Sequence, residues 1–67
     1  MIDIKVNNTS YQFESQITLD QIIKQLEISV NGIAVAVNQN IITKSDWSAT
    51  TPNNGDSILI IKATQGG

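Results

Sequence analysis

One stretch of this chain carries a sustained helical period. Leu19, Ile22, Ile23 and Leu26 fall at i, i+3, i+4 and i+7, an apolar stripe running about three turns along one face of a helix. The apolar residues on either side follow other spacings, so the fold has to be built from strands served by this one helix. Its start is well marked. Thr18 can cap the first turn with Gln21 reaching back from three positions on, Ile17 can staple to Ile22 across the cap, and Asp20 sits where the helix dipole favours a negative charge. Asn31-Gly32, shortly after the stripe ends, is the expected terminating turn.

Before the helix the period is two. Ile2, Ile4 and Val6 alternate with Asp3 and Lys5, Asn7-Asn8 supplies residues that tolerate the positive φ of a tight turn, and Tyr11 and Phe13 alternate with Ser10, Gln12 and Glu14. This spacing predicts a β-hairpin. Beyond the helix, Ile33 to Val37 is apolar throughout, as in a strand covered on both faces, with Ala34 and Ala36 leaving room for close packing on one of them. Asn38-Gln39-Asn40 reads as a turn, Ile41-Ile42 as a short strand, Thr43 to Trp47 as one helical turn, and 48–53 as an irregular connection holding the only Pro. After the turn residues Asn53-Asn54-Gly55-Asp56, Ser57 to Ala63 is the last strand, with Ile58 and Ile60 pointing one way and Leu59 and Ile61 the other. Apolar on both sides, it belongs in the centre of the sheet.

Composition supports a sheet: twelve Ile and four Val stand among 27 apolar residues of 67. It also narrows function. With neither Cys nor His, the chain offers no disulfide, no thiolate or imidazole metal ligand and no triad chemistry. Four Lys against six acidic residues, with no Arg, argue against a surface that tracks phosphates and against an anionic membrane. A chain of 67 residues has no room for both a core and a separately walled catalytic cleft, so an enzyme acting alone is not expected. With no basic leader and no apolar run of spanning length, the reading is a cytoplasmic protein. Asp46 and Asp56 sit in turn or cap contexts, Tyr11 with Phe13 reads as a strand pair, and Trp47 as a plug against the sheet.

The expected architecture is α+β, with one helix on one face of a small mixed sheet. Nothing in the sequence supplies a second layer. Either part of the run Ile58, Leu59, Ile60 and Ile61 forms an exposed apolar patch suited to a partner, or the 41–56 stretch folds over it. The expected domain covers 1–63, followed by a flexible tail of 64–67. That tail ends in Gly66-Gly67, a pairing that chance would give at roughly 0.5% with Gly at about 7% of residues. Two residues without Cβ let a main chain pass into a narrow cleft and present its carboxylate there.

Taken together, Ala34-Val35-Ala36-Val37-Asn38-Gln39 with Ile41, Trp47 after Ser45-Asp46, Gly55-Asp56 opening the final strand, and Gly66-Gly67 resemble the ThiS family of sulfur carrier proteins in thiamin biosynthesis. The resemblance runs over the whole chain and implies a β-grasp, ubiquitin-like fold and a carrier rather than an enzyme. It implies no bound cofactor, and ATP used by an activating partner similar to ThiF to adenylate the carboxylate of Gly67. Sulfur from a cysteine desulfurase would then give a thiocarboxylate, to be donated to the thiazole formed by a ThiG-like synthase. Gln65 and Gly66 would thread the partners' active sites, and Ile58 to Ile61 would offer a docking face. Two alternatives share the tail chemistry, namely the small subunit of molybdopterin synthase and a ubiquitin-like protein modifier; a plain interaction module is a third.

Overall fold

The computed structural model describes residues 1–62; the expected domain boundary after residue 63 and the terminal residues Gln65, Gly66 and Gly67 lie outside them. The elements run β1 (Ile2–Val6), β2 (Thr9–Phe13), α1 (Leu19–Gln25), β3 (Ile33–Val37), β4 (Asn40–Ile42), a 3-10 helix (Lys44–Ala49) and β5 (Ser57–Lys62). The strands form one sheet in the order β2-β1-β5-β3-β4. Thus β5 is central, antiparallel to β3 and parallel to β1.

Both hairpins close through two-residue turns whose central residues, Asn7-Asn8 and Asn38-Gln39, have positive φ. That conformation matches the twist of the flanking strands, and Asn adopts it at low cost. The two asparagines also do a strand's work on β5. Asn7 accepts from the Ile60 N–H (2.8 Å) and donates to the Ile60 carbonyl (3.3 Å), continuing the ladder past the point where β1 turns away. On the other side, Asn38 accepts from the Ser57 N–H and donates to the Asp56 carboxylate, each at 3.0 Å.

The helix begins as the sequence predicts. Gln21 Oε1 accepts from the Thr18 N–H at 3.1 Å, the Thr18 hydroxyl donates to Asp20, and Ile17 and Ile22 are both buried. Its end differs. Glu27 turns left-handed (φ 57) behind the C-cap Leu26, and the N–H groups of Glu27 and Ile28 return to the carbonyls of Lys24 and Ile23. These two bonds close the helix end on two of its orphan carbonyls, so Asn31-Gly32 is not the terminator; Gly32, also at positive φ, turns the chain just ahead of β3.

One face of the sheet meets α1. Ile4, Val6, Val35, Ile58 and Ile60 pack with Leu19, Ile22, Ile23 and Trp47 in a single core. Trp47, on the 3-10 helix, donates its indole N–H to the Ile42 carbonyl at 3.0 Å, which satisfies the one polar atom that its burial removes from water. The Thr50 carbonyl accepts from the Leu19 N–H at 2.8 Å, tying the same stretch to the helix start. The 41–56 segment therefore closes the helix side of the core. Its last turn docks on β1, where the Gly55 N–H and the Asn54 side chain bond the Asp3 main chain; Gly55 stands at φ 89, which a Cβ would strain.

Candidate functional site: the open face of the central strand

The period-two alternation of β5 is resolved by the layer beneath it. Ile58 and Ile60 point toward the helix and are 2% and 9% exposed, whereas Leu59 and Ile61 point away and are 50% and 49% exposed. The four-residue docking face expected from the sequence is corrected accordingly. Ile58 and Ile60 are core residues, because one face of β5 has to close over Leu19, Ile22 and Ile23. Only Leu59 and Ile61 remain as surface.

Their neighbours on that face come from β3 and β4. Ala36 pairs with both Leu59 and Ile41, and Ala34 pairs with Ile61, so Ile41, Ala36 and Leu59 form one row across three strands and Ala34 with Ile61 a second beside it. Ile41 is 67% exposed, and its place in the patch, which sequence spacing does not show, depends on β4 pairing with β3. The full cover expected over β3 is also corrected. Helix and 3-10 segment lie on its Val35 face, whereas on the alanine face Ala36, 6% exposed, is buried between its strand neighbours Leu59 and Ile41, and Ala34 is half-buried beside Ile61. A contiguous apolar patch of this kind on a small chain is the usual mark of a binding surface.

At the edge of the patch, Lys5, Asn7, Asn8, Asn38, Gln39 and Ser57 surround Leu59 in a shallow polar-rimmed depression. An apolar centre with a hydrogen-bonding rim is the ordinary anatomy of a protein interface. Asp46 and Asp56 serve local structure, as their turn and cap contexts predict. Asp46 accepts from the Thr43 hydroxyl at 3.1 Å, and Asp56 accepts from the Asn53 N–H at 2.8 Å and from Asn38. Among the described residues, no group of three acidic, His or Cys side chains is placed to hold a metal ion. Tyr11 and Phe13 stack as a tilted strand pair with centroids 6.0 Å apart.

Comparison with known proteins agrees with this geometry. The ThiS family model matches residues 4–67, nearly the full length. The chain belongs to the ThiS family. The sulfur carrier protein ThiS of Escherichia coli K12 is 29% identical over 66 residues, covering 98% of this chain and 100% of that protein. Among solved structures, the crystal structure of the thiamine biosynthesis protein ThiS from Geobacter metallireducens superposes with a TM-score of 0.83 at 17% identity, covering 98% and 100% of the two chains. The solution structure of the Geobacter metallireducens protein gives 0.74 at 17% identity, over 98% of this chain and 88% of that one. The five-stranded sheet with one helix is thus the β-grasp fold of ThiS.

Proposed function

We propose that this ThiS-family chain is a sulfur carrier for thiazole formation in thiamin biosynthesis, with the carboxylate of Gly67 as the carrying group. The observation that carries the reading is the family match through residue 67, which includes the Gly66-Gly67 ending. A carboxylate resists nucleophilic attack until its oxygen becomes a good leaving group. A ThiF-like partner supplies this by transferring AMP from ATP to Gly67, releasing pyrophosphate. The terminal sulfur of a persulfide, derived from cysteine by a desulfurase, then forms the C–S bond and AMP leaves. A thiol cleaves the remaining S–S bond to free the thiocarboxylate, and since this chain has no Cys that thiol belongs to a partner. The thiocarboxylate, a soft nucleophile, passes its sulfur to a ThiG-like thiazole synthase.

In this scheme the chain is a substrate and not a catalyst. Leu59 and Ile61, with Ile41 beside them, dock the partners, while Gln65 and Gly66 enter their active sites. The exposed apolar face on the strand that leads toward residue 67 supports this division. Among the described residues no helix is long and apolar enough to cross a membrane, and the proposed partners place the chain in the cytoplasm.

Intact mass measurement of the full chain, and of a form lacking Gly67, after incubation with ATP and cysteine in a lysate of the native host tests the reading. The expected result is replacement of one oxygen by sulfur at the terminal glycine in the full chain alone. A covalent conjugate to a lysine of another protein would make it a modifier, and co-purification with a molybdopterin synthase large subunit would move it to that pathway. No mass change in a lysate with active sulfur transfer would overturn the carrier reading.

A further inference from the structure

We propose that the chain self-associates through β2, its outer edge strand, as a two-fold antiparallel pair centred on Tyr11. The direction of each main-chain group follows from the bonds on the far side of β1. Lys5 and Asn7 donate their N–H groups to the Asp56 and Ile58 carbonyls of the β5 side, at 3.1 and 3.0 Å. Odd-numbered residues of β1 therefore face β5, and Ile2, Ile4 and Val6 face β2, where they pair with Phe13, Tyr11 and Thr9. Across the hairpin, Ser10 and Gln12 are left with their N–H and C=O groups directed away from the sheet.

A strand edge of this kind is ordinarily guarded by charge, proline, a bulge or shortness. Strand β4, at the opposite edge, is guarded by its length of three residues. Strand β2 has five residues, Thr9-Ser10-Tyr11-Gln12-Phe13, with no charge and no proline, and its register against β1 is unbroken. Its sequence is also complementary to itself. With the two-fold axis at Tyr11, Ser10 of one copy lies opposite Gln12 of the other, and each such couple exchanges two hydrogen bonds, using every outward main-chain group of β2. The two Tyr11 residues then form the close, non-hydrogen-bonded pair in which side chains touch best. Tyr11 stands opposite Ile4 on the helix side of the sheet and is 36% exposed, so its twin covers ring surface that one copy leaves wet.

Charge favours the same register. On the open face Lys5 neighbours Ser10 and Asp3 neighbours Gln12, so each row across the pair runs Lys5, Ser10, then Gln12 and Asp3 of the second copy, ending in opposite signs. A parallel pairing in register would end each row in like charges. Because β1 stands between β2 and β5, the pairing leaves the Leu59 and Ile61 face uncovered, and it does not depend on what Gly67 carries. A single strand pair falls below the roughly 1,200 Å² of stable interfaces, so the dimer is weak and concentration-dependent.

Sedimentation equilibrium combined with amide NMR over a dilution series, from about 2 mM down to about 20 µM, tests the proposal in the range where such an interface dissociates. The expected result is a monomer–dimer equilibrium whose shift changes centre on the Ser10 and Gln12 amides. Tyr11→Glu and Tyr11→Lys each place like charges at the two-fold axis and weaken association about tenfold or more, while an equimolar mixture of the two variants restores it. A chain that stays monomeric at the highest concentration overturns the proposal. So does association unaffected by Tyr11→Glu, which would place the contact elsewhere, such as the Leu59 and Ile61 face. Should the charged variants fail to fold, Gln12→Pro removes only an outward N–H and is expected to weaken association while leaving the β1 ladder intact; unchanged association would refute the register.

Discussion

Replacing Asn7 separates its two tasks, the left-handed turn and the side-chain ladder to Ile60. Asn7→Gly keeps the φ of 50 accessible and removes the two bonds to Ile60. At about 1 kcal/mol for each ordinary hydrogen bond, less the water that can reach part-buried groups, the expected loss is about 1–2 kcal/mol. Asn7→Ala adds the strain of a Cβ in the left-handed region, about 1 kcal/mol more. For a domain of this size total stability is on the order of 3–10 kcal/mol, so the Ala variant loses a large share of it. Urea titration followed by Trp47 fluorescence measures both losses, and each kcal/mol lowers the melting temperature by about 4–8 °C. Hydrogen exchange at the Ile60 amide supplies the local readout, with faster exchange expected in both variants. Wild-type stability in Asn7→Gly, with Ile60 still protected, would show that the amide is not completing the ladder.

Trp47→Ala opens the space between α1 and the 3-10 helix and removes the indole bond to the Ile42 carbonyl, an expected cost of about 3–5 kcal/mol by urea denaturation, while Trp47→Phe keeps an aromatic ring in the core and costs less. Glu27→Gly relieves a left-handed residue at the helix C-terminus and should stabilise by about 0.5–1 kcal/mol; a lower melting temperature would refute that account of the cap. Ile58→Ala should cost about 2–4 kcal/mol, whereas Leu59→Ala, on the open face, should cost under about 1 kcal/mol and instead weaken capture of the activating partner in a pull-down. Equal destabilisation by both would contradict the assignment of faces. Gly55→Ala meets no neighbouring atom, so its loss of about 1–2 kcal/mol by thermal denaturation should come from φ alone.

Much of this was legible because it is local. The stripe Leu19, Ile22, Ile23 and Leu26, the capping residues Thr18 and Gln21, and the asparagines at both hairpin turns act over a few residues of chain, where period and backbone preference decide the outcome. The two-sided apolar run of β5 likewise announced a central strand, and the Gly66-Gly67 ending with the 34–39 and 55–56 motifs pointed to the family. Alternation told Ile58 and Ile60 apart from Leu59 and Ile61 as two sets, but with both sets apolar it carried no sign for which faces the helix. That choice belongs to packing, because one helix and one short 3-10 segment can cover a single face, and the set closing on Leu19, Ile22, Ile23 and Trp47 becomes core while the other is left exposed. The same holds for Asn7, whose reach to Ile60, 53 residues away in sequence, exists only once β1 and β5 lie side by side.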